Sequence, residues 1–270
     1  MDTAQPGGYE VADLVGCLQQ EGALLAEAAE AAGFAAPVPA CPGWQVRDLL
    51  KHLGYVHRWA AGYVRDQHTR WVDRLSEEEI LSGGPSDDVL AGWFRQGHAE
   101  LGRVLSAAGP ETACWTFLDA PSPVAFWARR QAHETAIHRA DAQQAAAAAG
   151  GAQFADPPDF GPHFATDGID ELIMGFLARA AKRGSWDGPP AVLGLHAEDG
   201  TGGTAHWRVD SAPGRLAVAR GTGAASCDVT GPAARLYLRL WNRADDSGLD
   251  VRGDASQLTA FLEHFHVTWS

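Results

Sequence analysis

The stretch Phe126–Asp141 constrains this chain more than any other. It contains neither glycine nor proline and runs on into an alanine-rich tail, so it predicts one long helix. Residues four apart on a helix lie about 40° apart around the axis, on one face. Glu134 and His138 therefore point the same way, and Asp141 lies one turn further along that face. His133 is five positions from His138, about 140° round the axis, and faces elsewhere. A metalloprotease-type His-Glu-x-x-His would need histidine at 137, where Ile137 stands. The usable pair is one carboxylate and one imidazole, Glu134 and His138.

Two donors do not complete a metal site. A catalytic zinc takes three protein ligands and keeps one position open. The best third donor is His52, on a helix predicted over about Trp44–Gln67, where Asp48 and Tyr55 share its face. Spacing alone leaves a plainer reading open. Glu134 and His138 can be an intrahelical pair on a solvated face, with His52 a satisfied core residue.

Net charge and cysteine usage narrow the partners. At −13 the chain lacks the clustered Lys and Arg that phosphate neutralisation needs, so neither nucleic acid nor an anionic membrane surface is expected. No apolar run approaches the ~20 residues of a membrane span, and Met1–Glu10 shows no signal-peptide pattern. Cys17, Cys41, Cys114 and Cys227 are far apart and form no CxxC, which fits a reduced, cytoplasmic setting.

Four long helices are expected before residue 150: Tyr9–Ala32, Trp44–Gln67, Ser86 or Asp87 to Ala107, and Ser122–Ala148. Their connections suggest an antiparallel four-helix bundle, a fold that builds metal sites from facing helices. A linker rich in Gly, Pro and Asp, Gly150–Pro162, separates this domain (1–150) from a second one (151–270). There a helix over Asp167–Arg183 precedes short β-type runs at 191–197, 205–210, 216–219 and 227–230. A helix near Pro232–Asn242, an edge strand at Leu249–Val251 and a last helix at Ala255–His264 complete an α+β domain on a mostly antiparallel sheet.

Three segments resemble the mycothiol-dependent maleylpyruvate isomerase family, which is related to the DinB-like metal-binding bundles. They are Val38–Trp44 with Asp48–Leu53, Trp127–Arg130 with His133–Asp141, and Gly253-Asp254 opening the last helix. The resemblance implies a divalent metal, usually zinc, held by His52, Glu134 and His138. It implies mycothiol, or a similar thiol, as cosubstrate, and an arginine from the C-terminal domain near the reaction, with Arg235 and Arg239 the leading candidates among Arg235, Arg239, Arg243 and Arg252. The expected activity is attack of the metal-activated thiol on an electrophilic small molecule, giving cis–trans isomerisation or S-transfer. A hydrolase using activated water, or a non-catalytic metal sensor, is the alternative. Asp141 is expected to orient a ligand or hold the thiol's amine, and Arg129 or Arg130 to hold a substrate carboxylate. Asp48 is either an acceptor for the His52 N–H or a helix-start residue. His57 and His133 are expected to be non-ligands. A monomer or a homodimer fits.

Overall fold

Short capping sequences decide where the helices start. Helix α1 (Val11–Ala32) opens on a reciprocal pair, Glu10 with Asp13, and α2 (Val46–Arg65) on Gln45 with Asp48. A short α3 (Glu77–Ser82) is capped in the same way by Ser76 and Glu79. Sequence periodicity misses it because only Ile80 among its residues is buried. Helix α4 spans Asp87–Ala107. In α5 (Pro123–Ala148), Ser122 Oγ accepts the Ala125 N–H at 3.1 Å, and Pro123 occupies the first turn, where its missing N–H costs nothing. This computed structural model describes residues 8–109, 111–184 and 186–267.

Two compact units divide the chain, one over Tyr9–Pro158 and the other from Asp159 on. In the first, α5 packs against α1 and α2, and α4 packs against the same two helices from the other side. The helices carrying the candidate ligands, α2 and α5, are thus neighbours. Leu25, Leu49, Leu53 and Phe94 are fully buried and join α1, α2 and α4 in one core, with Ala142 of α5. Helix α5 buries 18 of its 26 residues. That decides against a solvated face for Glu134 and His138, because a helix covered on nearly all sides has no such face. The unit runs eight residues past the expected boundary at 150. A single 3₁₀ turn, Ala152–Phe154, follows the backbone bond from Gly151 N–H to Ala146 O (3.0 Å), and Phe154 packs on the helical core.

The second unit begins with one continuous helical rod: α6 (Pro162–Asp170), a wider π-type stretch (Glu171–Leu177) and α7 (Ala178–Arg183). Its sheet holds β1 (Ala191–Glu198), β2 (Thr204–Ala212), β3 (Arg215–Arg220), β4 (Cys227–Pro232) and β5 (Asp250–Gly253) in the order β3-β2-β1-β4-β5. Three pairings are antiparallel and one, β1 with β4, is parallel. The sheet is thus mostly antiparallel, as expected, and the one parallel pairing makes it mixed. Helix α8 (Ala233–Leu240) follows β4, and α9 (Ala255–His264) ends the described fold. Along β2 burial alternates residue by residue, as a sheet with one covered face requires. On the covered side Trp207 Nε1 donates to Asp170 Oδ1 at 3.0 Å, and Arg220 grips both Asp170 oxygens at 2.7 Å. No described helix is long and apolar enough to cross a membrane.

Candidate metal centre

The ligand-bearing end of α2 is set by the turn before it. Cys41-Pro42-Gly43-Trp44 closes with Trp44 N–H donating to Cys41 O at 3.0 Å. Proline stands at the second position and Gly43 at the third with φ of 89°, the pattern of a type II turn. Val38 N–H to Trp44 O (2.9 Å) and Val46 N–H to Ala36 O (2.9 Å) pin this turn against the start of α2. Trp44 is thereby laid over the histidines. Its ring centroid is 5.1 Å from that of His52 and 6.5 Å from that of His138, near-parallel to the latter.

Beneath it, His52 from α2 and Glu134 and His138 from α5 bring one donor atom each within 4.8 Å of one another. His52 Nε2 lies 3.7 Å and His138 Nε2 3.5 Å from the same oxygen, Glu134 Oε1. Both spacings exceed a good hydrogen bond. They approximate the ~3.4 Å separating two donors on a tetrahedral ion with bonds of about 2.0–2.1 Å. His52 Nδ1 is buried with no hydrogen-bond partner. What fits a cation is the pair of buried imidazole Nε2 atoms set around one carboxylate oxygen at these spacings.

The surrounding residues prepare the three donors. Asp141 Oδ2 lies 2.9 Å from His138 Nδ1, which holds the proton on that nitrogen and leaves Nε2 turned to Glu134. Cys41 Sγ also reaches Asp141 Oδ2, at 3.6 Å. Arg130, fully buried, donates from Nη2 to Glu134 Oε2 at 2.8 Å, so Oε1 is the oxygen that faces the histidines. Burial by itself would raise the Glu134 carboxyl, but Arg130 and the two imidazoles outweigh it and hold the group well below its usual range. Burial lowers His52, keeping it neutral. For His138 burial also works downward, but Asp141 and Glu134 prevail and raise it to about 9.

The residues expected from sequence have different outcomes. His52, Glu134, His138 and Asp141 come together in one place. Arg130 does not serve as a free carboxylate holder, because its Nη2 is bound to Glu134. Asp48 is a helix-start residue: its Oδ2 accepts the Gln45 N–H at 2.8 Å. Arg129 is partly buried on α5. His57 lies off the ligand cluster, with Nε2 3.0 Å from Thr135 Oγ1, and His133 is buried outside the three-donor group. In the second unit, Arg235 reaches Ser247 O from Nε and Nη2 (3.1 and 2.7 Å), and Arg239 Nε pairs with Asp246. Cys41, Trp44 and the Arg130–Glu134 pair were missed by sequence reasoning. The signals available were the i,i+4 spacing of Arg130 and Glu134 and the place of Cys41 and Trp44 within the Val38–Trp44 segment.

Residues 15–143 match the family described as the mycothiol maleylpyruvate isomerase N-terminal domain. The match lies within the helical unit and covers just under half of the chain. Two solved structures resemble the whole fold. A mycothiol-dependent maleylpyruvate isomerase is 14% identical with a TM-score of 0.59, and a histidine-to-alanine mutant of a mycothiol-dependent maleylpyruvate isomerase is 13% identical with a TM-score of 0.61. Each comparison covers 90% of this chain and 93% of the other. No curated protein matches the chain. At these identities the likeness establishes the fold. The matched stretch includes all three donors of the cluster and Asp141.

Proposed function

We propose that this protein is an enzyme that uses a low-molecular-weight thiol of the mycothiol type to attack an electrophilic small molecule, with cis–trans isomerisation or S-transfer as the outcome. The observation that carries this reading is the convergence of His52, Glu134 and His138 beneath Trp44, in a stretch that matches the mycothiol maleylpyruvate isomerase N-terminal domain. Those three residues would hold a divalent metal, and a two-imidazole, one-carboxylate set suits zinc in a catalytic rather than a structural role. Such an ion, when bound, lowers the pKa of a thiol far below its free value near ~8.5 and so supplies a nucleophile at neutral pH.

The chain's own residues do the rest. Asp141 fixes the tautomer of His138 and keeps its Nε2 aimed at the donor cluster. Arg130 neutralises Glu134 from behind and fixes which oxygen faces inward. Trp44 lies over both imidazoles, its ring near-parallel to that of His138. In this reading Asp141 and Arg129 contact the thiol. Arg235 and Arg239 are the candidates for the C-terminal-domain arginine that the family resemblance implies.

The test has two parts. Bound zinc is measured in the purified protein and in His52→Ala, Glu134→Ala and His138→Ala. Wild type is expected to hold one equivalent that each variant loses, and full retention in all three would overturn the site. Turnover of maleylpyruvate, as first probe, is then followed with and without mycothiol. Loss of the substrate's cis double bond only when thiol is present supports the reading. Water-dependent turnover without thiol would replace it with a hydrolase.

A further inference from the structure

The bundle site leaves a second constructed cluster unused, on the sheet of the other unit. In the antiparallel pairing of β1 and β2, His196 stands directly opposite His206. Their neighbours Leu195, Ala197, Ala205 and Trp207 occupy the buried face, so by alternation both histidines lie on the opposite face. The two Nδ1 atoms are 2.8 Å apart, and the rings cross at 68°. The other nitrogen of His196, Nε2, lies 2.9 Å from Asp228 Oδ1 on β4. Gly194 makes room for this contact. A Cβ at that position would come within 2.2 Å of Asp228 Oδ1 and 3.1 Å of His196 Nε2.

The geometry points to a two-imidazole chelate for a borderline divalent cation, formed by His196 and His206 and positioned by Asp228. The proton logic runs through the three residues. Asp228 accepts the Nε2–H of His196, which leaves His196 Nδ1 with a free lone pair. His206 must then donate from Nδ1, so a single proton separates two nitrogen lone pairs. When a cation takes that position, His206 moves its proton to Nε2, and neither ring changes charge. Metal–nitrogen bonds of about 2.0–2.1 Å require the two nitrogens to part to about 3.3 Å, a shift of about half an ångström for side chains at the sheet surface. The carboxylate behind His196 is the support that metal-binding histidines ordinarily carry. Imidazole donors, with water in the remaining positions, favour nickel, copper or zinc over the hard cations.

Nickel is the probe, applied to the tag-free full chain by equilibrium dialysis. Wild type is expected to bind one equivalent more than His196→Ala or His206→Ala. Asp228→Asn keeps the shape of the side chain and should weaken that extra equivalent about tenfold or more. Gly194→Ala, which displaces Asp228, should do the same. The extra equivalent should persist in His52→Ala, which separates this site from the bundle centre. An unaltered thermal midpoint of the metal-free variants shows that they fold. The proposal is overturned if wild type binds no more nickel than His206→Ala, or if Asp228→Asn and Gly194→Ala bind it as tightly as wild type.

Discussion

Loading the bundle site with metal should expel a proton, and the structure says from where. His138 is raised to about 9 by Asp141 and Glu134 acting against burial, whereas His52 is lowered and Glu134 is held well below its usual range. At pH 7.5 the metal-free site therefore contains an ionised carboxylate, a neutral His52 and an imidazolium at 138. A metal needs the neutral imidazole, so binding must displace that proton. With the pKa 1.5 units above the pH, about 97% of His138 is protonated, and close to one proton leaves per ion. Affinity should then rise about tenfold per pH unit, or ~1.4 kcal/mol, between pH 7 and 8, and level off near 9. Calorimetry in buffers of different ionisation enthalpy reads the proton count directly, and zinc held in a competing chelator keeps the affinities measurable. Asp141→Asn removes one of the groups that raise His138. At pH 8.5, where wild type still releases about three-quarters of a proton, the variant should release distinctly less, while any proton lost elsewhere is common to both. Heats independent of buffer in wild type, or equal release in the two proteins at pH 8.5, would refute the assignment of His138 as the protonated ligand.

Other perturbations have equally definite outcomes. In the metal-free protein the raised His138 contributes stability that is fully present below pH 6.5 and is lost as the pH climbs through 9. Urea midpoints should fall across that window and flatten in Asp141→Asn. Arg130→Met strips the buried Glu134 carboxylate of the guanidinium on Oε2, leaves only the His138 imidazolium beside it, and should cost about 3 kcal/mol in urea unfolding, far more than a surface arginine. Asp141→Asn should also weaken metal binding about 10–100-fold without abolishing it, measured by chelator competition. Gly43→Ala places a side chain at φ of 89° and should destabilise the chain by about 1 kcal/mol while loosening Trp44 over the histidines, seen as a red-shifted tryptophan emission.

Local chemistry put most of the elements within reach of sequence reasoning. Caps such as Gln45–Asp48 and Ser122, and the absence of Gly and Pro from Phe126–Asp141, mark helix starts and lengths because they act within a turn of themselves. The shared face of Glu134 and His138 follows from the helical repeat alone. Adjacency was not legible in the same way. That α5 is covered on nearly all sides and lies against α2 depends on contacts between residues about a hundred positions apart, such as Cys41 with Asp141, and periodicity carries no record of them. The same holds for Arg130, which sequence offered beside Arg129 for a substrate carboxylate and which the fold binds to Glu134. It holds too for the parallel pairing of β1 with β4, which brings Asp228 beside His196. The residue types and their local faces were determined by sequence, but only tertiary packing decided which faces meet, because burial and strand register depend on the whole chain.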